Sequence, residues 1–312
     1  KVREIANYDH LSKLGIHASP VRFERSKIAE HANNLVLNIR ENLTKTLLRN
    51  GVKIIRGFGR IEGHQRVGIR DQNGVDKILK CKNTIIATGS SPFVPRGIEI
   101  DNRTVFTSDD AVKLEWLPKW IAIIGSGYIG LEFADVYTAL GCEVTMIEAL
   151  KNIMPTFDPD ITKIAKKNLI KSRDIETKSN VFATRITPGC PVKIELTDPK
   201  SKEIVENLEV DAVLVATGRI PNTKGLNLDK FGVETVKGFI EIDKQMRVKS
   251  GNKVIPNLWA VGDVTGKLML AHTAAAQGTI AVENICGQVK EIDYLSIPAA
   301  TFTHPEISSV GL

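Results

Sequence analysis

The chain has 312 residues, of which 42% are hydrophobic and 25% are charged, a composition typical of a folded globular protein. The length predicts about two or three domains. Its apolar runs are strand-sized and fall short of the roughly 18 residues that a membrane-spanning helix needs, so no spanning segment is predicted. The net charge is only +6, and no run of five or six basic residues indicates a nucleic-acid partner.

Cysteine usage predicts reduced thiols and no metal centre. Cys81, Cys142, Cys190 and Cys286 are far apart and form no C-x-x-C pair, so their spacing offers neither a metal site nor a local redox pair. We expect isolated thiols in a reducing compartment. Residue 1 is Lys and no apolar segment follows it, so no signal peptide is predicted.

Hydrophobic periodicity predicts strands and helices along the whole chain. In chain order, the predicted elements are a long amphipathic helix over 24–50, a strand over Val52–Arg56, a hairpin of Arg66–Arg70 and Lys77–Lys80, strands over Thr84–Ala87 and Ile121–Ile124, a helix ending near Leu140, a strand over Glu143–Ile147, a helix over 158–173, a hairpin of Val192–Leu196 and Val205–Leu208, strands over Val213–Ala216 and Val254–Val261, and a helix over Ala271–Cys286. The proline-containing stretch 90–119 is predicted to be a loose connector.

The strongest motif is Gly125-Ser126-Gly127-Tyr128-Ile129-Gly130, which follows a predicted strand and opens a predicted helix. A second strand ends in Glu148, roughly 20 residues later, as in a dinucleotide-binding βαβ unit. Gly125 allows the tight turn, Gly127 lets a pyrophosphate approach, and Gly130 lets the helix pack on the strand. Glu148 favours NAD over NADP, because it would repel a 2′-phosphate. The alternative is a purely structural glycine-rich turn.

Three other strand ends carry small or acidic residues. I-I-A-T-G at 85–89 and L-V-A-T-G at 214–218 are similar enough to indicate two related nucleotide-binding modules. Small residues there either let a ligand approach or simply pack. Asp263 follows a strand and precedes a helix, where it could accept ribose or ribityl hydroxyls while the helix binds a phosphate. The alternative is a helix-capping aspartate.

These motifs together resemble those of the flavin-dependent pyridine nucleotide–disulphide oxidoreductases. A-V-G-D-V-T-G-K-L-M-L-A-H at 260–272 adds to the match, and the closing run 298–311 resembles the start of the family's dimerisation domain. The resemblance covers essentially the whole chain. It is greatest to the plastid and cyanobacterial members that oxidise dihydrolipoamide. It implies an α/β fold with two Rossmann-like FAD- and NAD(P)-binding domains in three β/β/α layers, and the start of an α+β dimerisation domain.

The resemblance also implies domains and ligand contacts. It divides the chain into a partial FAD-binding domain (1–107), an NAD-binding domain (108–233), a central domain that returns to the FAD site (234–297) and a truncated dimerisation domain (298–312). The implied NAD contacts are Gly125, Ser126, Gly127, Tyr128, Ile129, Gly130, Glu148, Val181, Ala216, Thr217, Gly218 and Arg219. The implied FAD contacts are Gly59, Thr88, Gly89, Ser90, Asp263, Met269, Leu270, Ala271 and His272.

Two residues carry implied catalytic roles. Glu132 matches a glutamate near the flavin that pairs with a lysine beside the redox disulphide; the alternative is simply a favourable position near a helix N-terminus. Tyr128 matches a position that gates nicotinamide entry, where many dihydrolipoamide-oxidising members carry an aliphatic residue. The family's first FAD-binding βαβ unit, its C-x-x-x-x-C helix and its carboxy-terminal His–Glu pair have no counterpart in this sequence. We therefore expect these 312 residues alone to be inactive.

For the complete enzyme, the resemblance implies that dihydrolipoamide reduces the disulphide with the help of a His base, and that electrons then pass through FAD to NAD⁺. It further implies a homodimer whose partner is the lipoyl domain of a 2-oxo acid dehydrogenase complex, in a bacterial cytoplasm or a plastid stroma. No nucleic-acid, membrane or metal partner is expected. The alternatives are another family member, such as a mercuric reductase or a soluble transhydrogenase, or a non-catalytic NAD-binding redox module.

Overall fold

The computed structural model describes residues 2–3, 8–17, 22–155 and 157–311. The helices are α1 (Tyr8–Lys13), α2 (Arg25–Arg49), α3 (Ser108–Ala111), α4 (Tyr128–Ala139), α5 (Pro159–Ala165) and α6 (Ala271–Ile285). The strands are β1 (Gly57–Gly63), β2 (Arg66–Asp71), β3 (Asp76–Lys80), β4 (Thr84–Ile86), β5 (Ser90–Pro92), β6 (Val105–Thr107), β7 (Trp120–Ile124), β8 (Glu143–Glu148), β9 (Glu176–Ser179), β10 (Phe182–Thr187), β11 (Val192–Thr197), β12 (Ile204–Val210), β13 (Ala212–Val215), β14 (Arg219–Pro221), β15 (Thr235–Val236), β16 (Phe239–Ile240), β17 (Arg247–Ser250), β18 (Lys253–Ala260), β19 (Ala299–Thr301) and β20 (Ile307–Ser309).

The chain divides into two compact units. The first unit contains residues 1–43, 92–218 and 300–307, and the second contains residues 44–91, 219–299 and 308–312. The domain boundaries implied by the resemblance stay a prediction. No helix in the described part of the chain is both long and apolar enough to cross a membrane.

The first unit is built on a five-stranded parallel sheet in the order β6-β13-β7-β8-β9. The chain runs outward from β7 through β8 to β9 and then returns to β13 on the other side of β7. The strand order therefore reverses between β7 and β13. Ligands of open parallel sheets bind outside the carboxyl ends of the strands at such a reversal.

Both faces of this sheet are covered. On one face, Leu131 and Tyr137 of α4 pack with Ile121 and Ile123 of β7 in a buried cluster. On the other face, the antiparallel sheet β10-β11-β12 packs its apolar side chains against the strands. These layers confirm the predicted β/β/α arrangement. The alternation along β7 explains it, because successive side chains of a strand point to opposite faces.

The second unit combines two three-stranded sheets with α6. The strands β1-β2-β3 form an antiparallel sheet, and β18 pairs antiparallel with β17 and parallel with β4. Ala260 of β18 is buried with Ile86 and Val264. Trp259 and Val261 are buried with Ala281 of α6. The side chains of the successive residues 259–261 therefore pack alternately into two hydrophobic clusters on opposite faces of this sheet.

The predicted helix over 24–50 is confirmed as α2, but the predicted strand over Val52–Arg56 is wrong, because these residues form no strand. A strand is stable only where a neighbour satisfies its backbone hydrogen-bonding groups, and no described strand pairs with Val52–Arg56. Ile54 is 44% exposed, and Leu35 and Leu43 of the amphipathic α2 are 53% and 63% exposed. Both segments therefore carry the right pattern but leave a large part of their apolar surface exposed in this chain.

The predicted connector over 90–119 contains ordered elements that the sequence did not reveal. Strand β6 is completely buried and pairs in parallel with β13 at the edge of the sheet. Three residues are too few to show a two-residue periodicity. Strand β9 was also missed, because its sequence Glu-Thr-Lys-Ser is polar, as is common for an edge strand.

Candidate dinucleotide-binding site

Gly125 lies where the glycine-rich loop leaves β7, at the reversal of strand order. Its φ of +103° is in the region that favours glycine, and a Cβ there would lie 2.4 Å from the carbonyl oxygen of Ala216. Ala216 directly follows β13, and its N–H donates to Ile124 O at 2.8 Å. The loop therefore crosses the ends of two adjacent strands so closely that no side chain fits at Gly125.

The other two motif glycines shape the start of α4. A Cβ on Gly130 would lie 2.1 Å from the carbonyl oxygen of Gly125, so the helix packs directly on the loop backbone. Gly127 has extended backbone angles before the first helical residue, and a Cβ there would meet nothing within 4 Å. Open space thus lies in front of a helix N-terminus, whose free N–H groups and positive dipole end bind anions. This arrangement fits a pyrophosphate.

Glu148 ends β8 beside this loop and is 93% buried, with an exposed fraction of 7%. Its Oε2 accepts hydrogen bonds from Ser126 N (3.0 Å) and Ser126 Oγ (2.6 Å), and its Oε1 accepts one from Leu150 N (2.9 Å). Val181, another predicted contact, donates its N–H to Glu148 O at 3.3 Å. The structure therefore brings the predicted acid, Val181 and the glycine-rich loop together at one sheet edge.

The A-T-G segment after β13 joins the same edge in part. Thr217 Oγ1 donates to Phe93 O at 2.7 Å, and Gly218 O accepts from Phe93 N at 2.9 Å. Arg219 begins the second unit. There its Nε donates to Ser90 Oγ at 2.7 Å and its Nη2 donates to Ser90 O at 2.9 Å. The Arg219 side chain therefore contacts Ser90, which is one of the residues predicted to bind FAD. That Arg219 itself contacts NAD stays a prediction.

The two predicted catalytic residues lie in the first two turns of α4. Tyr128 is 37% exposed, and its ring packs against Phe157, with ring centroids 4.8 Å apart. Glu132 Oε1 accepts a hydrogen bond from Phe302 N at 2.9 Å. In this chain, Glu132 therefore anchors the segment that follows β19. The gating role of Tyr128 and the flavin-proximal role of Glu132 stay predictions.

Asp263 forms a second polar cluster, within the second unit. It lies in the 3₁₀ turn Gly262–Thr265 directly after β18, and its Oδ2 accepts from Ser90 Oγ at 2.6 Å. Arg219 Nε is 3.9 Å from the same oxygen. The alternative that Asp263 caps the following helix is wrong, because Leu270 is the residue that precedes α6. Asp263 instead presents a carboxylate beside a cation.

The remaining predicted FAD contacts also belong to the second unit. Gly59 lies in β1 opposite Ile69. The oxygens of Thr88 and Gly89 accept hydrogen bonds from the side-chain and backbone nitrogens of Asn222, at 3.1 and 3.0 Å. The other four contacts surround the start of α6, and they are Met269, Leu270, Ala271 and His272.

Sequence reasoning did not single out Gln277. This buried side chain accepts from Gly262 N at 2.6 Å and donates to the hydroxyl of Tyr294 at 3.0 Å. Burial raises the pKa of Tyr294. Gln277 thereby fixes the turn that carries Asp263. A single glutamine inside a helix belongs to no motif, so only the fold reveals this role.

The four cysteines are free thiols, as expected. Cys142 is buried, and burial raises its pKa to about 11, whereas Cys190 and Cys286 are exposed. Because the thiolate is the reactive form, we expect a thiol-specific reagent at pH 8 to label Cys190 and Cys286 in the native chain and Cys142 only after unfolding. Peptide mapping after labelling with and without urea measures this. Native labelling of Cys142 at the rate of Cys190 would contradict it.

The comparisons with known proteins agree with this geometry. A family model described as "Pyridine nucleotide-disulphide oxidoreductase" matches residues 4–278, so the chain belongs to that family. It is 62% identical over 313 residues to a protein of Synechocystis named dihydrolipoyl dehydrogenase, and 54% identical over 316 residues to dihydrolipoyl dehydrogenase 2, chloroplastic, of Arabidopsis thaliana. The matches cover 100% of this chain but 66% and 55% of these relatives.

A solved structure gives the same fold. LpdA from Mycobacterium tuberculosis superposes with a TM-score of 0.87 at 27% sequence identity, covering 100% of this chain and 67% of that one. The predicted α/β fold class, with Rossmann-like nucleotide-binding architecture, is confirmed. The predicted resemblance to plastid and cyanobacterial proteins is confirmed as well, since the two relatives are a cyanobacterial and a chloroplast protein.

Proposed function

We propose that this chain binds NAD(H) with its first unit and FAD with its second, and that it is part of a dihydrolipoamide dehydrogenase. The proposed substrate rests on the 62% identity, over the whole chain, to a relative named dihydrolipoyl dehydrogenase. The observation that carries NAD binding is the loop at the β7–β13 reversal, with open space at Gly127 and the carboxylate of Glu148 beside it. No observation favours a mercuric reductase, a transhydrogenase or a non-catalytic module.

In the first unit, the N–H groups at the start of α4 would bind the pyrophosphate of NAD. Glu148 would accept a ribose hydroxyl, and its charge would disfavour a 2′-phosphate. Tyr128, which is partly exposed at the first turn of α4, would cover the nicotinamide path.

In the second unit, Asp263 would accept hydroxyls of FAD, held in place by Ser90 and balanced by Arg219. The N-terminus of α6 would bind a phosphate of the same molecule. When bound, FAD supplies electron transfer between a thiol pair and nicotinamide. The protein residues hold the cofactors and set the local charge.

The proposal extends to assembly and compartment. The relatives' names indicate a protein that acts on lipoyl groups, so we propose the lipoyl domain of a 2-oxo acid dehydrogenase complex as partner. We also propose that the complete protein is a homodimer. The cyanobacterial and chloroplast relatives support a bacterial cytoplasm or a plastid stroma.

The test joins these 312 residues to the remaining regions of the Synechocystis relative. We expect the chimera to purify with FAD and to form NADH from NAD⁺ only when dihydrolipoamide is added. A Gly127→Ala chimera is the matched control, because it should retain FAD and need about tenfold more NAD⁺ to reach the same rate of NADH formation. Reduction of glutathione disulphide with NADPH, in the absence of any dihydrolipoamide reaction, would contradict the substrate assignment. Exchange between NADPH and NAD⁺ without dihydrolipoamide would support a transhydrogenase instead.

A further inference from the structure

We propose that Ser126 is a positioning residue that fixes the carboxylate of Glu148 and thereby sets the discrimination between NAD and NADP. The inference rests on the proposed NAD-binding function of the first unit. Ser126 is completely buried, although it lies in a loop between two glycines. A buried hydroxyl in such a place needs partners, and this one has two.

The Ser126 hydroxyl connects three segments of the first unit. It donates to Glu148 Oε2 at 2.6 Å and accepts from the backbone N–H of Met154 at 2.9 Å. Met154 is also completely buried, and it lies in the segment that follows β8. One side chain thus ties the glycine-rich loop to the end of β8 and to the segment beyond it.

The hydrogen bonds to Glu148 use most of its acceptor capacity. A carboxylate has about four lone-pair sites, two on each oxygen. Ser126 occupies both sites on Oε2 through its N–H and its hydroxyl, and Leu150 N occupies one site on Oε1. One site on Oε1 remains for a ribose hydroxyl. Ser126 therefore determines which oxygen faces the ligand and prevents the carboxylate from rotating.

A fixed carboxylate discriminates more strongly than a mobile one. A 2′-phosphate brought beside Glu148 meets a negative charge that cannot turn away without breaking three hydrogen bonds. Without the Ser126 hydroxyl, Oε2 loses its shortest hydrogen bond, and the carboxylate gains freedom to rotate away from a phosphate. Removing the Ser126 hydroxyl should therefore weaken the binding of NADH and strengthen the binding of NADPH relative to it.

The test measures NADH and NADPH binding to the 312-residue chain by nucleotide fluorescence, for the wild type and for Ser126→Ala. The wild type is expected to prefer NADH. Ser126→Ala should lower that preference about tenfold, the factor that corresponds to one hydrogen bond to a charged group. In a Glu148→Gln background, Ser126→Ala should leave the preference unchanged, because the serine acts through the glutamate charge.

Thr145→Val is the matched control for structural damage. Thr145 is buried in β8, where its hydroxyl accepts from Trp120 Nε1 and donates to Glu176, without contacting Glu148. This variant should lose stability yet keep the NADH preference of the wild type. An equal weakening of both nucleotides in Ser126→Ala, or the same shift in preference with Glu148→Gln present, would overturn the role of Ser126. A wild-type chain that binds neither nucleotide would instead overturn the proposed function, and this inference with it.

Discussion

Replacing Gly125 with Ala is expected to destabilise the first unit by about 3 kcal/mol or more and to abolish NADH binding. The new Cβ would lie 2.4 Å from Ala216 O and 3.0 Å from Ala216 C. Neither atom can give way, because Ala216 N is hydrogen-bonded to Ile124 O in the adjacent strand. The φ of +103° adds strain that alanine cannot relieve. Hydrogen–deuterium exchange of peptides that cover β7 and β13 measures the loss within this unit.

Gly127→Ala separates folding from binding in the same loop. The backbone of Gly127 is extended, with φ of −77°, and its Cβ would meet no atom within 4 Å. The variant should therefore show the exchange protection of the wild type. Its methyl group fills the space that a pyrophosphate needs, so NADH affinity should fall by about tenfold or more, equivalent to ~1.4 kcal/mol. Wild-type protection in Gly125→Ala, or wild-type affinity in Gly127→Ala, would contradict the assigned roles of these glycines.

The glycine-rich loop shows what could be predicted from sequence. The motif, the apolar strand before it and Glu148 after it lie within one short stretch of the chain, and each has a local physical requirement that restricts the residue type. The β7-α4-β8 unit was therefore predicted correctly in type and order. The strand over Val52–Arg56 failed for the opposite reason, because a strand also depends on a partner, which periodicity does not reveal.

The contacts within the site were less predictable than its residues. Nothing in the sequence indicates that the hydroxyl of Ser126 bonds to Glu148, since the motif constrains only the glycines around it. Glu132 and Phe302 are far apart in the chain, and the fold alone brings them within 2.9 Å. Arg219 adjoins the A-T-G segment in sequence, yet its side chain contacts Ser90. The polar contacts of these side chains are with residues far away in the sequence, so they cannot be predicted from sequence neighbours.

Asp135→Asn is expected to destabilise the first unit by about 3–5 kcal/mol, the cost of removing one partner of a buried ion pair. Asp135 lies on α4, where its carboxylate forms ion pairs with Arg3 and with Arg173, whose side chain is 9% exposed. The same carboxylate accepts from His304 N at 3.0 Å. Burial, together with the charge of Arg3, lowers the pKa of Arg173 by more than the charge of Asp135 raises it. The carboxylate therefore offsets only part of the cost of burying this guanidinium.

The asparagine keeps the size and one acceptor oxygen of the aspartate. The expected loss comes from the missing charge and from the N–H donor that replaces the second acceptor oxygen beside His304 N or the guanidinium groups. Glu195→Gln is the matched control, because it removes the same charge from a pair with Arg185 that is exposed and 3.8 Å apart. Exposed pairs contribute about 0–1 kcal/mol and are screened by salt. Urea unfolding, monitored by hydrogen exchange of the α4 peptides, measures the free energy of unfolding of this unit. Asp135→Asn should lower it strongly at both low and high salt, and Glu195→Gln should leave it almost unchanged. Similar losses in the two variants would mean that Arg173 is solvated, and that the ion pair does not hold the 302–304 segment to α4.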